Sequence, residues 1–167
     1  MNKMIKHYRN ERASMRNINE WLEAYGESHK NPTNILIHKF CVPMITFSLL
    51  GLLFLIPLGS SLPQYLNVST LACAIILLFY LYLSRSLFFG MLIQASLMIW
   101  AIIVLESRIP SLSFQLYLST FILAWIMQFV GHKIEGKKPS FFEDIVFLLI
   151  GPLWTLRFLY EKLRIKV

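Results

Sequence analysis

The sequence predicts an all-α membrane protein: four transmembrane helices, an N-terminal amphipathic helix, and a broken C-terminal helix that is re-entrant or interfacial. Three observations carry this. The chain has 167 residues, 56% of them hydrophobic, with a mean hydropathy of +0.58 and only 15% charged; a soluble domain is nearer a quarter charged. The apolar residues gather in four uncharged runs, Phe40 to Leu58, Leu66 to Ser84, Leu87 to Leu105 and Ser111 to Val130, each 18 to 20 residues long. A helix needs about 20 apolar residues to cross a ~30 Å hydrocarbon core. Backbone groups in lipid must bond internally, and no run shows the strict alternation of a barrel, so each run is read as helix. The length suits one domain, residues 1–167.

The elements follow in order. Residues 1–31 form a cytoplasmic amphipathic arm. Its first sixteen residues are polar and basic, with no apolar h-region, so a cleaved signal peptide is not expected. His7 lies in this arm and is read as solvated or facing headgroups. Ile18, Trp21, Leu22 and Tyr25 fall at i, i+3, i+4 and i+7, one face of a helix suited to the headgroup layer. Gly26 is placed to stop it. Asn31-Pro32 reads as an N-cap followed by Pro at the first helical position. Membrane helices are expected over 32–58, 66–84, 87–105 and 111–135, and a broken helix over 141–163. Gly151-Pro152 is the expected break, because proline removes a helical donor.

Loop charge orients the chain. Lys3, Lys6, Arg9, Arg12, Arg16, Lys30 and Lys39 precede or open the first span, Arg85 lies in the second turn, and Lys133, Lys137 and Lys138 follow the fourth span. The loop from Gly59 to Tyr65 has no basic residue. The positive-inside rule therefore puts the N-terminus, the second turn and the fourth loop in the cytoplasm. With the last segment not crossing, 15 of the 16 basic residues are cytoplasmic, and Arg108 is the exception. The net charge of +7 is read as this orientation signal plus attraction to anionic lipid, not as a nucleic-acid surface. Cys41 and Cys73 both sit in apolar runs, form no CxxC pair, and are read as packing residues. Gln94 and Gln115 are read as packing polar groups.

The chemistry-bearing residues converge. His29 precedes the first membrane helix, His38 lies six residues into it, and His132 follows the fourth span. This topology sets all three at one cytoplasmic edge. Asn34 and His38 are spaced i, i+4; Gln128, His132 and Glu135 are spaced i, i+4, i+7 if the helix continues to Gly136. Polar groups this near hydrocarbon face the interior. Neutral imidazoles with a nearby carboxylate ligate divalent metals, and Glu135 could bind the metal or orient a ligating histidine. Hydrogen-bonded interfacial histidines are the alternative reading, and three histidines suit zinc as well as iron.

Two segments carry a family resemblance. The stretch from Tyr25 through His29, Asn31, Pro32 and Asn34 to His38, with Cys41-Val-Pro43, is similar to the first signature of a family of small membrane 2-hydroxy fatty acid dioxygenases. The stretch Gln128-Phe-Val-Gly131-His132-Lys133-Ile-Glu135-Gly136-Lys137-Lys-Pro139 resembles the second. The resemblance implies an Fe(II)-dependent enzyme that consumes O2, removes C1 of a 2-hydroxy fatty acid, and leaves an acid one carbon shorter. It implies iron ligation by His29, His38 and His132, with Glu135 as a motif acid. Asn31, Asn34, Gln128, Lys133 and Lys137 are then candidates for supporting the ligands or meeting an anionic headgroup. Expected partners are the 2-hydroxy fatty acid and membrane lipid, with room for a homo-oligomer. The expected location is a bacterial inner membrane or an endoplasmic reticulum, according to the host, with the site on the cytoplasmic side.

Other classes stay open on the sequence alone. A di-iron hydroxylase is disfavoured, since four histidines form no HxxxH or HxxHH cluster. A haem carrier would use His38 and His132 as axial ligands. A non-catalytic scaffold or transporter needs no metal, although transporter sites lie at the bilayer midplane.

Overall fold

The computed structural model describes residues 17–142 and 145–166. His7 and the rest of the basic N-terminal stretch lie outside these residues. Among the described residues there are six α-helices and no strand: α1 (Ile18–Gly26), α2 (Pro32–Phe54), α3 (Val68–Leu83), α4 (Arg85–Arg108), α5 (Pro110–Glu135) and α6 (Phe147–Leu163), with a 3₁₀ turn at Ser140–Phe142.

Helices α2, α4 and α5 are long and apolar enough to cross a membrane; α3 is apolar but shorter. Its 16 residues rise only ~24 Å. It is shorter than its apolar run because both ends are capped. Asn67 accepts from the Thr70 backbone while the Thr70 hydroxyl accepts from the Asn67 backbone. Ser84 stops α3 in extended conformation and its hydroxyl accepts from the Leu87 N–H, opening α4 without a loop. Large apolar side chains such as Phe40, Ile75, Leu78, Trp100 and Leu123 are exposed all around the bundle. So much exposed apolar surface suits lipid, not water.

The termini of the helices behave as their residue types dictate. Asn17 and Glu20 make a capping box on α1. Asn31 Oδ1 accepts from the Thr33 N–H with Pro32 at the first turn of α2. Gly136 ends α5 at φ 72°, the left-handed conformation that glycine adopts without penalty.

Two expectations are corrected. The apolar face of α1 does not lie in the headgroups. Trp21, Leu22 and Tyr25 are buried against Phe147, Ile150, Leu153 and Trp154 of α6. An apolar face is as well satisfied by a second helix as by lipid, and α6 offers one. Nor does α6 break at Gly151-Pro152; it is one helix from Phe147 to Leu163. Pro152 lies in its second turn, so only one helical bond is lost. Gly151 serves packing instead: a Cβ there would meet the Tyr25 hydroxyl at 3.1 Å.

The most extensive helix pairing is α2 against α5. Glycines permit it. A Cβ on Gly51 would overlap the Tyr117 ring, and one on Gly131 would overlap Asn34 Oδ1. Small residues at membrane helix crossings let backbones approach in this way. The second of these contacts lies beside the histidines.

Candidate metal centre

Three elements bring the histidines together. His29 is on the α1–α2 loop, His38 on α2 and His132 on the last turn of α5. All three are buried, at 4%, 0% and 4% exposure. Their ring centroids are 4.3 Å (His29–His38), 4.8 Å (His38–His132) and 5.0 Å (His29–His132) apart. One ligand nitrogen from each lies within 4.8 Å of the others.

The backbone sets the tautomers. His29 Nδ1 is 2.7 Å from the Tyr25 carbonyl and His38 Nδ1 is 3.0 Å from the Asn34 carbonyl. A carbonyl only accepts, so each Nδ1 donates and each Nε2 keeps its lone pair. Those Nε2 atoms, together with His132 Nδ1, are buried without a hydrogen-bond partner. Three orphaned nitrogens in one place are expensive unless something binds them. A metal cation fits this donor set, and backbone carbonyls orienting the far nitrogen are the usual support of a ligating imidazole. The group is therefore a buried three-histidine site able to hold a metal.

The electrostatics keep His29 neutral. Burial pushes its imidazole down to about 4, with His132 adding to the effect while the Tyr25 carbonyl and Glu135 oppose it. Neutral imidazole is the ligating form at pH 7. Aromatic walls hold the ring in place: Tyr25 stacks on it at 4.3 Å, with planes 10° apart, and Trp154 lies 5.0 Å away.

Glu135 touches none of the histidine nitrogens. Its carboxylate accepts from the Lys30 N–H (3.0 Å), the Asn31 N–H (2.8 Å) and Asn34 Nδ2 (3.1 Å). It therefore ties the His29 loop, and the start of α2, to the end of α5. Asn34 Nδ2 also donates to the Ser28 carbonyl at 3.2 Å. Lys137 Nζ donates to the Glu27 carbonyl at 2.6 Å, and the Ser28 and Ser140 hydroxyls are 2.6 Å apart. Asn31 contributes its backbone N–H here and its side chain to the α2 cap. Gln128 is buried on the His132 face of α5. Lys133 is exposed.

Sequence reasoning gave no role to Gly131, Ser140 or Trp154. Gly131 carried a usable signal, since a glycine directly before an inward histidine marks a close helix crossing. Ser140 and Trp154 lie on segments whose docking no spacing reveals.

Beside His132 and Gln128 is a pocket of about 50 Å³. A second, apolar cavity of about 350 Å³ lies deeper among the helices. Ile45, Thr46, Trp125, Leu148 and Pro152 line both, so the two spaces adjoin there.

A family model described as 2-hydroxy-palmitic acid dioxygenase Mpo1-like matches residues 15–163. The chain is 30% identical over 138 residues to the 2-hydroxy-palmitic acid dioxygenase MPO1 of Saccharomyces cerevisiae, covering 80% of this chain and 74% of that protein. No solved structure matches. With a fold of apolar membrane-length helices and both histidine-bearing segments inside the matched region, the chain belongs to the Mpo1-like family of 2-hydroxy-palmitic acid dioxygenases.

Proposed function

We propose that this protein is an Fe(II)-dependent dioxygenase that removes C1 of a 2-hydroxy fatty acid and releases the acid one carbon shorter. The observation that carries the reading is the set of three buried, unpartnered imidazole nitrogens. The relative from yeast, by its name, acts on 2-hydroxy-palmitic acid. Iron held by His29, His38 and His132 would supply O2 activation and a positive centre for the substrate's carboxylate and hydroxyl oxygens.

The protein's own residues do the rest. Tyr25 and Asn34 carbonyls fix two imidazoles in the ligating tautomer. Glu135, Asn31 and Asn34 hold the His29 loop in place, and Lys137 secures its Glu27 end. Trp154 and Tyr25 keep water from His29. The pocket beside His132 leaves room for a small molecule, and Gln128 supplies a polar side chain there.

The membrane arrangement we infer has four spans, with α3 the short one, and a cytoplasmic N-terminus. Loop charge supports it. The site then sits where a fatty-acid head group meets water. A haem between His38 and His132 is the weaker reading. Their centroids are 4.8 Å apart with His29 alongside, and the adjoining pocket of about 50 Å³ cannot hold a macrocycle.

The test is an O2-consumption assay on purified protein with a 2-hydroxy fatty acid, with mass spectrometry of the product. Stoichiometric appearance of the acid one carbon shorter supports the reading. A product of unchanged chain length, or turnover without O2, overturns it.

A further inference from the structure

The far end of the apolar cavity is packed. On α2 the cavity is lined by Ile45, Leu49 and Leu53, spaced i, i+4, i+8 on one face. Counted from His38, these residues lie ~10, ~16 and ~22 Å along the helix axis. One leaflet of a ~30 Å core is ~15 Å deep, so the cavity reaches past the midplane. Its far end is closed by a packed cluster of Leu50, Phe54, Ile102 and Tyr117, against which Cys73 and Met98 pack. Cys73 and Met98 also line the cavity and so form its floor. Ala95, one turn earlier on α4, lines its wall.

The wall offers a ligand little polar chemistry. The Thr46 hydroxyl donates to the Val42 carbonyl, and the Tyr80 hydroxyl to the Leu149 carbonyl. Gln94 is the remaining amide on the wall, and it and Met98 also line an open groove among α2, α4 and α6. The upper end adjoins the pocket at His132, with Ile45, Thr46, Trp125, Leu148 and Pro152 lining both spaces.

The geometry points to a chain-length ruler: the cavity takes a long, unbranched acyl chain whose head lies at the histidines, and Cys73 and Met98 stop its methyl end. This rests on the proposed function for the identity of the head group. The occupant is an acyl chain because the space is apolar, ends on a packed cluster and adjoins the pocket at His132. Ala95 sets the width of the passage, and Cys73 and Met98 set its depth.

The experiment uses the full chain in nanodiscs and a ladder of saturated 2-hydroxy fatty acids from medium to very long chain. Cys73→Phe raises the floor, and Ala95→Phe narrows the wall above it. Cys73→Leu and Ala95→Leu are gentler versions in case the larger side chains prevent folding. Leu123→Phe, at an exposed site on α5, is the control. A methylene that fits or fails to fit an apolar pocket is worth ~10-fold or more in kcat/KM. The longest substrates should therefore lose at least ~10-fold with Cys73→Phe while medium chains are unchanged. Ala95→Phe should move the cutoff to shorter chains still, and Leu123→Phe should leave the profile alone.

A second readout needs neither iron nor turnover: the Tm increase given by the matching ladder of non-hydroxylated fatty acids to metal-free protein. If the wild type turns over no 2-hydroxy acid yet the Tm ladder shows the same shifted cutoffs, the activity reading fails and the ruler stands. An unchanged profile, or an equal loss at every chain length in both readouts, overturns the ruler.

Discussion

Replacing Glu135 with alanine separates a clamp from a catalytic acid. The carboxylate holds two backbone N–H groups and the Asn34 amide. Hydrogen bonds to a charged acceptor contribute about 1.5–3 kcal/mol each when shielded. The Lys30 N–H is exposed and turns to water at little loss, whereas the Asn31 and Asn34 donors are partly buried. Taking the low figure for those two gives about 3 kcal/mol for releasing the loop. His29 rides on that loop, so the loss appears as weaker metal binding. At about 1.4 kcal/mol per tenfold, iron affinity should fall on the order of 100-fold. The assay is retention of iron during dialysis against graded chelator, with turnover measured at saturating iron. Excess iron should restore most of the activity of Glu135→Ala, and Glu135→Gln, which keeps one acceptor oxygen, should lie between. Wild-type iron retention in Glu135→Ala would refute the clamp. Full retention with lost turnover would place Glu135 in the chemistry instead.

Other outcomes follow from the same contacts. Gly131→Ala forces a Cβ into Asn34 Oδ1; it should destabilise the protein by about 1–3 kcal/mol, read by denaturant titration in detergent, and weaken iron binding as α2 and α5 separate. Metal-free protein should be less stable in acid. His29 is held down to about 4, against about 6.5 when unfolded, so its contribution is intact above pH 6.5 and is lost as pH falls toward 4. Between pH 7 and 5 that amounts to about 2 kcal/mol, and the fall should be shallower by that amount in His29→Gln; equal slopes would contradict the burial argument. Gly136→Ala places a Cβ at φ 72° and should cost about 1 kcal/mol without changing the iron-to-protein ratio at saturation.

Much of the architecture was legible because it follows from local rules. The caps at Asn31 and Gly136 depend on residue type and neighbours alone. The gathering of His29, His38 and His132 was readable because a membrane reduces topology to two sides, and loop charge supplied the sides. The shared face of Gln128, His132 and Glu135 came from helical periodicity. What periodicity cannot supply is the partner of a face. Glu135 was correctly set on the same stripe as His132, but its ligands are loop amides 104 and 105 residues away. The same limit hid the docking of Trp21 and Tyr25 onto α6. Pro152 misled because a proline in the second turn interrupts less than its reputation suggests. The cavity was invisible for a simpler reason: Ala95 and Cys73 lining a space read identically to Ala95 and Cys73 filling one.

The central claim is that three histidines from two helices and a loop hold one iron. The direct measurement is elemental analysis of anaerobically purified protein, prepared without chelator, for the wild type and for His38→Ala and His132→Ala. The account predicts a single iron per chain in the wild type and almost none in either variant, with helical content unchanged by circular dichroism. Full iron in His132→Ala, or wild-type turnover undiminished after iron is stripped, would contradict it.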